Sequence, residues 1–132
     1  MKTAFLFPGQ ASQKVGMGED LYLSNSNVRK SFEVANDIMG FDFKKIIFNG
    51  PAEVLKKTIY TQPAIYLISV IIAKILIKKG VKPQCAAGHS LGEYSALTIA
   101  NAFDFESGLL NKSPTPRHNR LTRMKTTAIT NG

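Results

Sequence analysis

The sequence predicts an α/β fold in which a serine occupies the turn between a strand and a helix. Three observations carry that expectation. A short apolar run near the N-terminus, KTAFLF (residues 2–7), is stopped by Pro8-Gly9, and a long apolar run without a break fills the middle of the chain. A second short run, QCAA (residues 84–87), leads through a Gly-flanked serine into a helix-like stretch. The order strand, loop, several helices, strand, sharp turn, helix sets the turn at the carboxyl end of a strand. Two strands are too few to close a good sheet, so the chain reads as an incomplete domain.

Each element follows from its own local pattern. After the first strand, GQASQKVGMGED carries three glycines and reads as a loop leading into a helix. Residues 27–39 (NVRKSFEVANDIM) bring Val28, Phe32, Ala35 and Met39 to near-helical spacing, with Gly40 as the stop. Residues 43–48 fit either helix or strand, and residues 51–55 suggest a short helical turn. In TQPAIYLISVIIAKILIKKG, Pro63 suits the first turn of a helix and Gly80 its end. Its most apolar part, residues 64–77, contains Lys74 and falls short of the roughly 20 residues that cross a bilayer, so it reads as a buried helix. Residues 91–102 form the last expected helix, with Leu91, Tyr94, Leu97 and Ala100 on its apolar side.

The net charge of +8 is unevenly distributed. Residues 1–108 hold 12 basic and 9 acidic residues, whereas residues 109–132 hold five basic residues (Lys112, Arg117, Arg120, Arg123, Lys125) and no acid. The basic tail has no aromatic residue to stack on a base, which argues against nucleic acid as a partner. With two prolines, five threonines and no sustained periodicity, it reads as disordered or as the product of a shifted reading frame. The expected division is therefore a partial domain over 1–108 and an atypical basic tail over 109–132. The single cysteine, Cys85, excludes an internal disulfide framework and fits a reducing cytoplasm. The N-terminal apolar run is too short for a signal peptide, and no metal-ligand spacing is present.

The chemistry centres on GHSLG, residues 88–92. The pattern G-x-S-x-G matches a nucleophile elbow, which needs a strand before the serine, a helix after it and small residues at the flanking positions. At a helix N-terminus the Leu91 N–H is a natural donor to an oxyanion. On these residues alone Ser90 is either such a nucleophile or a helix cap beside packing glycines.

FPGQASQ (residues 7–13), TQPA (residues 61–64) and GHSLGEYSAL (residues 88–97) occur in the order and approximate spacing of malonyl-CoA:acyl carrier protein transacylases. NGPAEVLKKTIYTQPA is also similar to that family throughout its length, and the resemblance covers residues 1 to about 110. It implies the N-terminal portion of an acyltransferase core resembling α/β-hydrolases, without the ferredoxin-like subdomain that the family inserts further on. It implies Ser90 as the catalytic nucleophile, the backbone N–H groups of Gln10 and Leu91 as oxyanion donors, and Gln62 in the acyl pocket. His89 is implied to line the pocket rather than act as the base. Ala11 stands where the family usually has Gly. The family's general-base histidine belongs beyond residue 132, and its carboxylate-gripping arginine belongs in a helix that the SPTPRHNR stretch does not resemble, so neither role passes to Arg117, Arg120 or His118.

The implied activity is transfer of a malonyl group from malonyl-CoA to acyl carrier protein through a seryl ester in fatty-acid synthesis. It needs no cofactor and no metal, and the expected chain is a cytoplasmic monomer without a membrane partner. Missing base and clamp, the chain is expected to be nearly inactive alone. A polyketide-type acyltransferase, an α/β-hydrolase esterase and a non-catalytic binding fragment are the alternatives. The sequence does not separate malonyl from methylmalonyl specificity.

Overall fold

β1 (Ala4–Phe7) and β2 (Cys85–Gly88) lie side by side in parallel, with Phe7 paired to Gly88, so both strands finish at one edge of the sheet. The computed structural model that establishes this pairing describes residues 2–102, 104–112 and 127–130. Parallel neighbours require a crossover. Here it is made by α1 (Glu19–Ser24), α2 (Ser26–Met39), α3 (Phe43–Asn49), α4 (Ala52–Leu55) and α5 (Thr58–Lys78). After β2 come α6 (Gly92–Ile99) and α7 (Phe105–Lys112), and β3 (Thr127–Thr130) runs antiparallel to β2. The result is an α/β arrangement, as the segment order predicts.

Local signals explain most boundaries. The Asn25 side chain caps α2 by accepting from the Asn27 and Val28 N–H groups, and Gly40, at φ +81°, ends it. The four residues expected on the inner face of α2, Val28, Phe32, Ala35 and Met39, are its buried ones. The ambiguous stretch after residue 42 is helical because Asp42 caps it, accepting from the Lys45 N–H, and Gly50 terminates it.

α5 is the central support, and it is longer than its sequence implies. Its first turn forms on Thr58, Ile59 and Tyr60, with the Tyr60 and Thr61 N–H groups bonded to the Lys57 carbonyl. Pro63 therefore lies inside the helix, not in its first turn, and only the bond that its missing N–H would make to Ile59 is lost. The 21 residues reach the length and apolarity of a bilayer-crossing helix, correcting the expected shortfall. Residues 63–68 of this helix are buried in succession, and 56% of its apolar window lies inside the fold. Burial of that middle stretch is the environment of a core helix, although the C-terminal turns of α5 expose Ile72, Leu76 and Ile77. At its end Gly80 (φ +96°) donates to Ile77 and Val81 donates to Leu76, closing the last turn in a Schellman motif.

The core has two parts. Val28, Phe32, Phe43, Ile47, Leu55, Tyr66, Leu67 and Val70 belong to the larger, among the helices. Phe5, Phe7, Ala73, Ala86 and Ala96 form the smaller, beneath the strands. Tyr66 stacks on Phe105 at 5.9 Å, and its hydroxyl lies 2.7 Å from Thr98 Oγ1 and 3.2 Å from the Phe105 carbonyl. Burial pushes the Tyr66 phenol up to about 12. One phenol thus ties α5 to α6 and α7.

Three expectations differ from the structure. The buried residues of α6 are Gly92, Glu93, Ser95, Ala96 and Thr98, not the predicted row through Tyr94 and Leu97. The helix approaches the strands so closely that its small residues face them. The expected break at residue 108 falls inside α7, where Leu109 is fully buried in the larger core. Residues 127–130 pair with β2, where the sequence suggested no continuation of a sheet. The rest of the expected tail, including Arg117, His118 and Arg120, lies outside the described residues. Leu109→Ala should lower the free energy of unfolding by about 2–4 kcal/mol. Urea unfolding followed by circular dichroism checks this, and an unchanged midpoint would mean that α7 is not docked.

Candidate active site

Between the end of β2 and the start of α6 the chain reverses over three residues. Ser90 has φ +53°, the left-handed region that L-residues avoid at a cost of about 1–2 kcal/mol. The glycines on either side make this geometry possible. A Cβ at Gly88 would stand 2.0 Å from the Gly92 carbonyl carbon, and a Cβ at Gly92 would stand 2.1 Å from the Phe7 carbonyl oxygen. Neither contact can be relieved by moving a flexible side chain, because both partners are backbone. Strand end, turn and helix start are therefore in direct backbone contact, and the β1 terminus is pressed against them.

Hydrogen bonds then fix the turn. The His89 N–H donates to Phe7, Gly92 to His89, Glu93 to Ser90 and Tyr94 to Leu91, all at 3.0–3.1 Å. Among the described residues the Leu91 N–H meets no acceptor. Leu91 is 3% exposed, so its side chain is anchored in the fold. His89 and Ser90 are exposed.

The loop after β1 lies against this turn. A Cβ on Gly9 would fall 2.7 Å from the His89 carbonyl oxygen, so only glycine permits the approach. Next in line, Gln10 donates from Nε2 to Thr58 Oγ1 at 3.2 Å, tethering the loop to the first residue of α5. The Gln10 backbone N–H, like that of Leu91, has no acceptor among the described residues. Ala11 adopts φ +87°, and its N–H donates to Gln13 Oε1 at 2.9 Å. Its methyl group thus sits where glycine is the easier residue. Gln62, half-buried near the start of α5, makes no side-chain hydrogen bond among the described residues. The structure joins Ser90, Leu91 and the Gln10 loop at the carboxyl end of the strands, and the loop is tied to α5 at Thr58, four residues before Gln62.

Glu93 escaped the sequence reading. A first-turn acid at a helix N-terminus is ordinarily solvated, yet Glu93 is 1% exposed and its Oε1 has no hydrogen-bond partner. Thr61 Oγ1 and Ser95 Oγ are buried and unpartnered in the same way. Burial holds the Glu93 carboxyl above its usual range, and nearby His89 partly offsets the shift. The available signal was its place between Gly92 and Ala96 on the small-residue side of α6. Among the described residues no group of three or more His, Cys, Asp and Glu is arranged to hold a metal ion.

Two outcomes test this geometry. Gly88→Ala should cost more than about 3 kcal/mol of stability. By contrast Gly40→Ala, with φ +81° but open space around it, should cost about 1 kcal/mol. Denaturant midpoints compare the two, and equal losses would contradict the backbone contact. Because the Glu93 pKa is raised, the folded chain keeps a proton that the unfolded chain has released. Stability should therefore fall as pH rises from about 4.3, the ordinary carboxyl value, to the folded pKa, and level off above it. Glu93→Gln should remove this slope and raise stability at neutral pH, as read from unfolding midpoints across that range.

A model of the acyl transferase domain matches residues 4–114. The malonyl CoA-acyl carrier protein transacylase of Synechocystis sp. is 48% identical over 109 residues, which is 83% of this chain and 36% of that protein. The crystal structure of a Synechocystis malonyl-CoA:ACP transacylase superimposes with a TM-score of 0.81 at 46% identity, covering 85% of this chain and 38% of the other. A malonyl-transacylase in complex with its type II PKS acyl-carrier protein gives a TM-score of 0.80 at 42% identity, with 85% and 37% coverage. The chain thus spans little more than a third of the length of these relatives. With most of its residues inside the domain match, the chain belongs to the acyl transferase domain family.

Proposed function

We propose that this chain forms the nucleophile-bearing part of an enzyme that transfers a malonyl group from malonyl-CoA to acyl carrier protein. The observation that carries the reading is Ser90 at φ +53° between a strand and a helix, with two unpartnered backbone N–H groups, of Leu91 and Gln10, in the adjoining segments. Such a turn is what a nucleophile elbow requires, and backbone strain at a polar residue points to a functional site. The names of the relatives supply the substrate class.

In the proposed reaction Ser90 Oγ attacks the thioester carbonyl of malonyl-CoA. The oxyanion accepts hydrogen bonds from the Leu91 and Gln10 N–H groups, which lie in preorganised backbone. The carbon–sulfur bond then breaks, CoA leaves as the thiol with the serine proton, and a malonyl ester remains on Ser90. Attack by the carrier-protein thiol breaks that ester and returns a proton to Ser90 Oγ. Gln62 lines the acyl pocket in this reading. The proton shuttle and the grip on the malonyl carboxylate belong to the part of the domain that the family match does not cover here. Activity of the 132-residue chain alone should accordingly be negligible. The unit that takes part extends through α7, because Leu109 belongs to its core. A polyketide-type pathway uses the same chemistry, and similarity to the type II PKS pair supports it alongside fatty-acid synthesis.

Replacing the matched third of the Synechocystis transacylase by residues 1–112 of this chain gives a direct test. The chimera should transfer malonyl to acyl carrier protein, and Ser90→Ala should lower kcat by at least ~10³-fold. A folded chimera whose activity survives Ser90→Ala, or that forms no seryl ester, overturns the reading.

A further inference from the structure

The two backbone donors assigned to the oxyanion are held in place very unequally. Leu91 stands at the start of α6 with its side chain buried, and the three residues after Ser90's neighbour are bonded into the turn. Gln10 lies in a loop whose residues 10–12 are exposed, so no side chain there is anchored in the core. The loop's own backbone bond, from the Ser12 N–H to the Gly9 carbonyl, is long at 3.4 Å. Ala11 is held at φ +87°, and relaxing it to a negative φ would re-aim the chain on either side.

Something outside the loop must oppose that relaxation. Gly9 limits the loop on one side through its close approach to the His89 carbonyl. Beyond it, the Ala11 N–H bonds to Gln13 Oε1, which is internal to the loop. Among the described residues the one hydrogen bond from residues 10–12 to another element is that from Gln10 Nε2 to Thr58 Oγ1. Thr58 is the first residue of α5. In turn α5 is locked to α6 where the Tyr66 hydroxyl meets Thr98 Oγ1 at 2.7 Å. Leu91 is placed by α6 and Gln10 by α5, so both donors refer to one rigid pair of helices.

We propose that Thr58 is a positioning residue for the reaction at Ser90. Its hydroxyl fixes the Gln10 side chain, and through it the distance between the Gln10 and Leu91 amides. An oxyanion site works by holding its donors where charge will develop, so slack in one donor costs rate and not substrate affinity. The proposal rests on the reading of Gln10 and Leu91 as the oxyanion donors. Thr58 itself touches no substrate.

The chimera with the Synechocystis transacylase tests the rate effect. Thr58→Val removes the acceptor at nearly constant size and should lower kcat about 5-fold, with KM for malonyl-CoA unchanged within about 2-fold. Thr58→Ser keeps the hydroxyl and should restore kcat. Gln10→Leu keeps the backbone N–H but loses the tether, and should match Thr58→Val; the double variant should be no worse than either single one. In the 132-residue chain, Thr58→Val should speed hydrogen exchange of the Ala11 amide at least ~3-fold while leaving the far-UV spectrum intact. Wild-type kcat in Thr58→Val, equal losses in the Val and Ser variants, additive losses in the double variant or unaltered Ala11 exchange would each overturn the proposal. A chimera that is inactive, or that survives Ser90→Ala, sinks the malonyl-transfer reading instead, and the Ala11 exchange still decides whether Thr58 holds the loop.

Discussion

The contact between bare backbones at Gly88, Gly92 and Phe7 is the constraint from which the rest of the site follows. A Cβ at either glycine would sit about 2 Å from backbone atoms, so the strand end and the helix start approach as closely as main chain allows. That closeness forces the reversal into three residues and puts Ser90 into a left-handed conformation. It also brings the end of β1 onto the turn, carrying Gly9 and the Gln10 loop with it. In place of large side chains, α6 must face the strands with Gly92, Ser95 and Ala96. Strain, loop placement and small-residue packing are thus three results of one steric fact.

That constraint also explains Glu93. A helix seated so near the sheet buries whatever occupies its inner face, and a carboxyl there loses water without gaining a partner. Isolated buried polar atoms are rare in complete domains, because each costs about 1–3 kcal/mol. Three of them, on Thr61, Glu93 and Ser95 near the starts of α5 and α6, mark where this chain does not satisfy itself. The exposed apolar positions on α5 and β1, Ile72, Leu76 and Leu6, are the nonpolar counterpart. Both kinds of surface fit a chain that spans little more than a third of its relatives.

Much of this was legible in the sequence. The spacing of Val28, Phe32, Ala35 and Met39 gave the inner face of α2 directly, because large residues at helical intervals have one way to be buried. The glycines around Ser90 announced a tight strand-to-helix turn. Legibility failed where packing depended on distance rather than on hydrophobicity. The inner face of α6 is written in small and polar residues, so counting apolar positions selected the wrong side. Pro63 pointed to a helix start because of its local cost, but burial of the stretch around it outweighs one missing hydrogen bond. Leu109 was grouped with the basic tail by composition, although a single side chain at the right turn of α7 fills the core. The tether from Gln10 to Thr58 pairs residues 48 positions apart, which no local pattern encodes.

The burial of Leu109 has a consequence for how the polypeptide is made. The larger core joins Val28 and Phe32 to Leu109, which follows them by roughly 80 residues. On a ribosome, the helices between them emerge well before the residue that seals them. Until α7 clears the exit tunnel, Tyr66 lacks its stacking partner and the α2–α5 layer shows oily surface to the cell. Docking of α7 is thus the step that turns a set of locally coded helices into one closed core, and it waits on a residue far along the chain from those it covers.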